Sequence, residues 1–480
     1  MVRLGLQTRL KAQPLTLRRV YGYGRRVFRP DTIWQDPEFK RYYDWLLETQ
    51  WWSRKQLLEL QLERLHGLLD YAYTNIPFYR DLFDDHGLTP RDIATLDDLK
   101  KIPIIKKEDI RRNGRKFLPD NGKAEKLHAK TTGGTTGTPL VLYYDDTVHA
   151  HEEAFRMRQW HWAGYRPGDR LLVMRDDFLG RDGPDGIIKW DYETTQNALV
   201  LSTFHLNEQS LPGFVALAGQ FRPQYIEAFP SALGLMANYM RRHDISGIHP
   251  NAIFCESENL LGWQRELIEL QFGCRIFAGY GDSERAVDAV ECEHHRGYHL
   301  SMEYGILEIV DDAGRPVTEE GQLGRAIGTG LDTYSMPMIR YDTEDIVQFT
   351  QRECTCGRNM PLISGIEGRA QEFIVTADEE LISLASINVR TPSYNNVEQF
   401  QFLQENKGEL TLRIVPSPTY SAEDTRQILE ELRAQFHNKV RIEPDFVDSI
   451  PRTARGKYRF LDQRLGVGTG RNLHRQQSAR

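Results

Sequence analysis

Between residues 53 and 75, leucines recur at Leu57, Leu58, Leu62, Leu65, Leu68 and Leu69. That spacing gathers them on one side of a 3.6-residue helix, and Ser53 stands where an N-cap belongs. The segment 36–80 reads as helical throughout. Its end is expected near Asn75-Ile76-Pro77, because a proline biases the preceding residue out of the α region. Leu96 to Lys100 predicts a short helix with its exit at Pro103. Further on, helical and extended patterns alternate. Helices are predicted over 149–163, from Ser231 to about His243, and over 261–272. Strands are predicted over 170–174, 198–204, 225–229, 252–255 and 275–278. Strands separated by helices of this length predict α/β layers with a largely parallel sheet. The helical period disappears after Glu284. Short strands at 306–310, 326–328 and 346–349, broken by turns such as Asp312-Ala313-Gly314, predict a meandering β subdomain. Past Gly368 the pattern becomes α+β. A strand at 410–415 precedes a helix capped by Ser421, with Ile428, Leu429, Leu432 and Phe436 on one face, and a strand at 440–442 follows. No repeat or low-complexity stretch interrupts the chain.

Length adds a domain expectation, since 480 residues exceed what one core serves. The expected division is a large domain over 1–370, a small mobile domain over 371–462 and a loose tail over 463–480. Apolar content of 40% with 27% charge fits a soluble globular protein. A net charge of −7 argues against a nucleic-acid binder. No apolar run approaches a membrane span and no signal segment stands out, so a cytoplasmic location is expected. Residues 1–30 carry eight Arg or Lys and no acid. Such an arm could touch an anionic membrane, although an ordinary basic arm is the preferred reading. Five cysteines, an odd number, argue against a disulfide framework. The chain itself leaves open whether it is a monomer or a homodimer.

One stretch concentrates small and hydroxylated residues: Thr131-Thr132-Gly133-Gly134-Thr135-Thr136-Gly137-Thr138-Pro139, preceded by Lys130. Its glycines permit sharp backbone bends, and successive N–H groups in such a loop can form an anion nest. The β-prone Leu140 to Tyr144 follows, so a phosphate-holding hairpin loop is one reading and a plain Gly/Thr turn is the other. The Gly-Lys-Ser/Thr ending of a Walker loop is missing.

Four further stretches stand in order behind it: Tyr280-Gly281-Asp282-Ser283-Glu284, Arg340-Tyr341-Asp342-Thr343-Glu344-Asp345, Gly368-Arg369, and Pro451 through Lys457. In identity and order they resemble the adenylate-forming superfamily. The finer resemblance is to the phenylacetate–CoA ligase-like group, through Tyr71 to Arg80 and Pro103 to Lys106. Within that group the chain is most similar to the branch of CapK-type capsular-polysaccharide proteins, through 395–404. The resemblance spans residues 40–462. It implies a large N-terminal adenylate-forming domain of layered sheets with a β subdomain, and a small α+β C-terminal domain. It also implies that a carboxylate attacks the α-phosphate of ATP, which requires a polyanion to be held, neutralised and aligned. On this resemblance Thr132, Gly133, Gly134, Thr135, Thr136, Gly137 and Thr138 grip phosphates. Tyr280, Gly281, Asp282 and Ser283 border the nucleotide, with Tyr280 near adenine. Glu284 holds Mg²⁺, Asp345 accepts from the ribose hydroxyls beside Arg369, and Lys457 reaches the reacting oxygens. The hinge falls at Gln371, where relatives carry Asp or Lys. Two other departures are Gly133 in place of a common Ser, and Glu344 where many relatives have Gly.

Cys354-Thr355-Cys356, Cys292 and a nearby histidine suggest a closed zinc site. Cys292, His299, Cys354 and Cys356 are the expected ligands, with His294 or His295 as alternatives to His299. Unliganded thiols are the plainer reading. Cys255 and Cys274 read as core residues. The resemblance places the acyl pocket around His205, Phe229-Pro230 and Glu256-Ser257-Glu258. The expected function is an ATP-dependent, AMP-forming ligase that activates a small carboxylic acid, aryl acids included, and passes the acyl group to coenzyme A. Alternatives are an amine or sugar acceptor in surface-polysaccharide biosynthesis, AMP transfer to a hydroxyl, and a non-catalytic nucleotide-binding scaffold.

Overall fold

The structure, a computed structural model, describes residues 15–16, 18–19, 22–23, 33–131, 140–175, 189–369, 372–384, 387, 392–452 and 458–465. They form two compact units. One joins 36–162 to 279–369. The other joins 163–278 to described residues before 36 and after 369.

The first unit begins with helices Pro37–Thr49 and Arg54–Asn75. Asp36 caps the first, and Ser53 with Gln56 forms a capping box on the second. The second helix ends at Asn75 with Ile76 extended before Pro77, as expected, but Pro77 also begins a further helix. It occupies the first turn of a new helix, Pro77–Asp85, where its missing N–H is no loss. Leu65, Leu68, Leu69 and Ala72 pack with Ile105, Ile339 and Tyr341 in one core. Helix Thr147–Trp162 follows the hairpin of His128–Thr131 and Val141–Tyr144. A meander makes the sheet: Gly305–Val310, Leu323–Gly330, Tyr341–Phe349 and Leu362–Arg369 pair antiparallel in that order. Tyr298–Leu300 and Asp288–Glu291 extend it, and residues 279–281 pair with Asp288 to Val290. Gly305 lies across from Gly330 and brings the backbone of the 284–287 turn close. A Cβ on Gly305 would fall 2.6 Å from the Ala286 carbonyl oxygen and 2.9 Å from that of Thr329.

The second unit contains the parallel sheet. Leu171–Met174 lies between Ala198–Leu201 and Tyr225–Ala228, and Ala252–Cys255 and residues 276–278 continue it. Leu171–Met174 and Ala252–Cys255 are buried throughout and are continuous apolar runs, as crossover sheets require, while Tyr225–Ala228 is buried too but carries Glu227. The strand expected over 198–204 stops at Leu201, and a 3₁₀ turn takes Thr203–His205. Trp190–Glu193 adds an antiparallel edge that no apolar run announced. Helices Leu211–Phe221, Pro230–Arg242 and Gly262–Phe272 bury Phe214, Met236 and Ile268 against the sheet core. The α+β part has strands in the order Arg441–Phe446, Glu409–Pro416, Val397–Gln404, Leu461–Gln463. Helix Ala422–Gln435 packs Ile428 and Leu432 with Phe402 and Leu412, and Ser421 caps it as expected. The α/β class with a small α+β part thus holds. Among the described residues no helix is long and apolar enough to cross a membrane.

Candidate functional site

The strand Ile276–Gly281 runs past the predicted 275–278 to carry Tyr280 and Gly281, and the chain turns at its end. Asp282 shapes that turn: its Oδ1 accepts from the N–H groups of Ala286 (2.8 Å) and Val287 (3.4 Å). Arg285 takes a left-handed backbone, φ 64°. Glu284 is thereby turned into the interior, where its Oε1 accepts from the Tyr341 hydroxyl at 3.1 Å. Tyr144, on the hairpin strand, donates its hydroxyl to the Ser283 carbonyl.

Asp345 joins two of the other stretches. Its Oδ2 accepts from Tyr280 Oη at 2.9 Å and its Oδ1 from Arg369 Nε at 3.1 Å. Register explains the second bond, because Asp345 and Arg369 are direct cross-strand partners. Burial opposes the Arg369 charge, but Asp345 outweighs it and holds the guanidinium pKa above its ordinary value. Burial, then Asp345, pushes the Tyr280 phenol well up, so it stays a neutral donor. Glu344 has φ 66°, which accounts for glycine in relatives at this position: the backbone here is left-handed. Burial raises the Glu344 carboxyl.

Asp282, half-buried, and Glu284, buried, are acids two residues apart. Burial, then the Glu284 charge, pushes the Asp282 carboxyl well above the usual range. Its Oδ2 is buried with no hydrogen-bond partner among the described residues. A hard divalent cation, which takes carboxylate oxygens, fits this pair and would relieve their repulsion. Beneath them Arg285 is bound to the Val148 carbonyl (3.1 Å), Asp332 (3.3 Å) and Glu152 (3.2 Å). Asp332 also faces His151, whose other ring nitrogen meets Glu38 at 2.8 Å.

The sulfurs gather in the same unit. Cys292, His299, Cys354 and Cys356 place one ligand atom each within 4.8 Å of all the others. Cys292 Sγ lies 3.6 Å from Cys354 Sγ, and Cys356 Sγ lies 3.5 Å from His299 Nε2. A tetrahedron with ordinary Zn–S and Zn–N bonds has edges of about 3.5–3.8 Å. The donor set and its spacing therefore fit zinc. His294 instead bonds Thr355 at 2.8 Å, and His295 faces Glu291.

Thr132, Gly133, Gly134, Thr135, Thr136, Gly137 and Thr138 lie outside the described residues, as do Gln371 and Lys457. The strands flanking the Gly/Thr stretch do pair, with Thr131 opposite Val141. Tyr458, beside Lys457, donates its N–H to Glu258 Oε1 at 3.2 Å. The residues expected at the acyl pocket are engaged with neighbours. His205 bonds Ser202 at 2.9 Å, Phe229 is buried, and Glu258 accepts from Ser231 N–H and Oγ. Glu256 faces Arg175, which is tied to the buried Glu227 at 2.8 Å, a pair that sequence reasoning missed. Tyr144 and Arg285 were missed as well. Tyr341 stood inside a noted motif without a role.

Residues 374–463 match the family model described as the CapK C-terminal domain. Protein CapK of Staphylococcus aureus is 24% identical over 435 residues, 88% of this chain and 92% of that one. A crystal structure of a 2-hydroxyisobutyryl-CoA ligase in the postadenylation state shares the fold, with a TM-score of 0.69 at 19% identity over 86% of this chain and 90% of that chain. A phenylacetate-coenzyme A ligase of Pseudomonas putida is 30% identical over 334 residues, 66% of this chain and 72% of that one. With that identity sustained across both sequences, and with Tyr280, Asp345 and Arg369 joined as described, the chain belongs to the adenylate-forming superfamily, in its phenylacetate-CoA ligase-like and CapK branch.

Proposed function

We propose that this chain is an ATP-dependent, AMP-forming ligase that activates a small carboxylic acid and transfers the acyl group to coenzyme A. The observation that carries the reading is the Asp345 carboxylate held between Tyr280 and Arg369 in a chain of this family. In the first step a carboxylate oxygen attacks the α-phosphorus of ATP. A C–O–P linkage forms, the Pα–O–Pβ bond breaks, and pyrophosphate leaves. In the second step the coenzyme A sulfur attacks the acyl carbon, AMP departs, and the thiol proton is lost to solvent or a base.

Each residue has a physical task in this scheme. Residues Thr132 to Thr138 grip the phosphates through backbone N–H groups and hydroxyls. Asp345 accepts from the ribose hydroxyls, with Arg369 fixing its orientation and Tyr280 bordering adenine. Lys457 sits by the acid and α-phosphate oxygens, where its charge stabilises the negative charge that develops. Glu284, with Asp282 beside it, would hold Mg²⁺, which when bound neutralises phosphate charge. Cys292, His299, Cys354 and Cys356 would hold a structural zinc that pins the β subdomain, apart from the chemistry. The segment 371–462 is proposed as a mobile domain that turns about Gln371 between the two steps.

Pyrophosphate exchange over a panel of carboxylic acids, phenylacetate included, tests the first step. Exchange with one acid, and thioester only when coenzyme A is added, is the expected result. ATP binding without exchange for any acid would favour the scaffold reading instead. Lys457→Ala should suppress adenylate formation far more than ATP binding, and equal turnover in that variant would remove the role assigned to Lys457. Acyl transfer to an amine or sugar is the second reading. It is favoured by the match of 374–463 to the CapK C-terminal domain, and acyl transfer to such an acceptor without coenzyme A would support it.

A further inference from the structure

Tyr341 lies against the acid expected to hold magnesium, and no task above falls to it. It opens the strand Tyr341–Phe349 and is 2% exposed. Its backbone is held on both sides. In the ladder it stands opposite Gly328. On the other side Ile105 donates its N–H to the Arg340 carbonyl at 2.9 Å, and its carbonyl accepts from the Asp342 N–H at 2.8 Å. Gly328 has its own reason to lack a side chain. A Cβ there would fall 2.6 Å from Ala286 Cβ and 2.6 Å from Val287 Cγ2, so the turn after Glu284 packs directly on this ladder. Ala286, Val287 and Tyr341 share one core with Ile105 and Ile339. A phenol enclosed in this way is a fixed hydrogen-bond donor rather than a searching one.

The Tyr341 hydroxyl donates to Glu284 Oε1 at 3.1 Å. One oxygen of that carboxylate is thereby occupied. The other, Oε2, accepts from no described residue. Nor is it sealed, in contrast to Asp282 Oδ2 of the same turn, which is buried without a partner among the described residues. Glu284 therefore offers a cation one oxygen rather than two, and that difference bears on which cation is held. Ca²⁺ takes about 6–8 oxygens in loose geometry and readily accepts a bidentate carboxylate. Mg²⁺ demands a near-ideal octahedron, keeps several waters and uses few carboxylates. A carboxylate with one oxygen capped suits the smaller ion. Hydrogen-bond partners that orient a metal-holding side chain are worth about 10- to 100-fold in metal affinity.

We propose that Tyr341 is a positioning residue that leaves Glu284 one open oxygen and thereby makes the site select Mg²⁺ over Ca²⁺. The inference deepens the reading of Glu284 as the magnesium residue and rests on it. The hydroxyl acts in two ways. It occupies Oε1, so that Glu284 meets a cation through Oε2 alone. It also restrains rotation of the carboxylate, so that Oε2 is presented in one direction. An ion with strict octahedral needs gains from a single well-aimed oxygen, whereas a larger ion loses a second contact. Without the hydroxyl both oxygens become available, and the preference shifts towards Ca²⁺.

The test loads the full chain with ATP and Mn²⁺ in the absence of any acid substrate. Protein-bound Mn²⁺ is read by electron paramagnetic resonance while Mg²⁺ or Ca²⁺ displaces it, with free ATP as the reference for each ion. The readout is the ratio of the two half-displacing concentrations, which involves no turnover. In the parent, Mg²⁺ should displace at a lower concentration relative to Ca²⁺ than it does from free ATP. Tyr341→Phe should weaken Mg²⁺ about tenfold and leave Ca²⁺ no weaker, so the ratio moves about tenfold towards Ca²⁺. ATP binding in EDTA should not change, which shows that the variant folds. Equal losses of Mg²⁺ and Ca²⁺, or an unchanged ratio, would overturn the proposal and reduce the hydroxyl to a structural contact. Glu284→Gln separates that failure from failure of the metal reading, because bound Mn²⁺ should be lost in it. Bound Mn²⁺ undiminished in Glu284→Gln would overturn the magnesium role of Glu284 and this proposal with it. Absence of pyrophosphate exchange would count against the ligase reading alone.

Discussion

Substituting Gly305 by alanine tests whether the sheet positions the turn that carries Glu284. The added methyl would lie 2.6 Å from the Ala286 carbonyl oxygen and 2.9 Å from the Thr329 carbonyl oxygen. Ordinary contact begins at 3.4 Å, so the closer gap is short by about 0.8 Å. Both obstacles are backbone. Retreat from one drives the methyl towards the other, and Gly305 is pinned in its ladder opposite Gly330 and by Gln61 Nε2 on its carbonyl at 2.7 Å. The 284–287 turn must therefore yield. Overpacking of this kind costs about 1–3 kcal/mol of stability. A displacement approaching 1 Å at a catalytic group costs up to about 10²-fold in rate. The expected result is a Gly305→Ala protein that folds, with pyrophosphate exchange about 10- to 100-fold below the parent. Gly365→Ala is the matched control, because its methyl would meet only the Gln348 side chain at an ordinary 3.6 Å. Exchange measured well below the unfolding midpoint of each protein, with far-UV circular dichroism as a check, gives the comparison. Full exchange activity in Gly305→Ala would refute the idea that this close approach sets the position of Glu284.

Four more outcomes follow from the same unit. Glu344→Gly should raise stability in urea by about 1 kcal/mol, because a left-handed backbone suits glycine. Glu344→Gln keeps the strain and removes a carboxyl that burial holds above its ordinary 4.5. The folded state binds that proton more tightly, so its stabilising effect is complete below about pH 4.5 and lost as pH rises through the folded value. The advantage of Glu344→Gln over the parent should therefore be present near pH 8 and absent near pH 4, and the reverse order would contradict the assignment. His151 lies 2.9 Å from Asp332 and 2.8 Å from Glu38; burial disfavours its charge, but the two carboxylates prevail and raise its pKa. Its contribution is present below about pH 6.5 and lost as pH rises through the folded value, so His151→Phe should destabilise more near pH 6 than near pH 9. An equal loss at both would mean the ring acts by packing alone, against Tyr42, whose ring centre is 3.8 Å away. Metal analysis of the protein purified without added zinc should give about one equivalent, and Cys356→Ser should fall below about half, with a lower unfolding midpoint. Equal zinc in the variant would remove Cys356 from the ligand set.

The legible part of the fold was what local chemistry sets. Ser53 and Ser421 cap the helices they were expected to cap, and Leu57, Leu65, Leu68 and Leu69 are buried as the spacing requires, whereas Leu58, grouped with them in the sequence, is exposed. The strands at 171–174 and 252–255 appeared as apolar runs because both their faces are covered. Errors came where a local signal had two outcomes. Proline at 77 ends one helix at Asn75 as read, but that a second begins at the proline itself depends on packing of the next turn. Trp190–Glu193 is half polar because it is an edge strand, so its period was weak.

Residue order along the chain determined the family, the motif set and the cysteine–histidine grouping, because those rest on which side chains are present and at what spacing. Tertiary structure alone decided which of them meet. Asp345 reaches both Tyr280 and Arg369 through sheet register, and Glu284 faces Tyr341 because Arg285 adopts a left-handed backbone over Gly305 and Gly330. Distances of this kind are set by strands far apart in sequence, where no period or spacing carries the information.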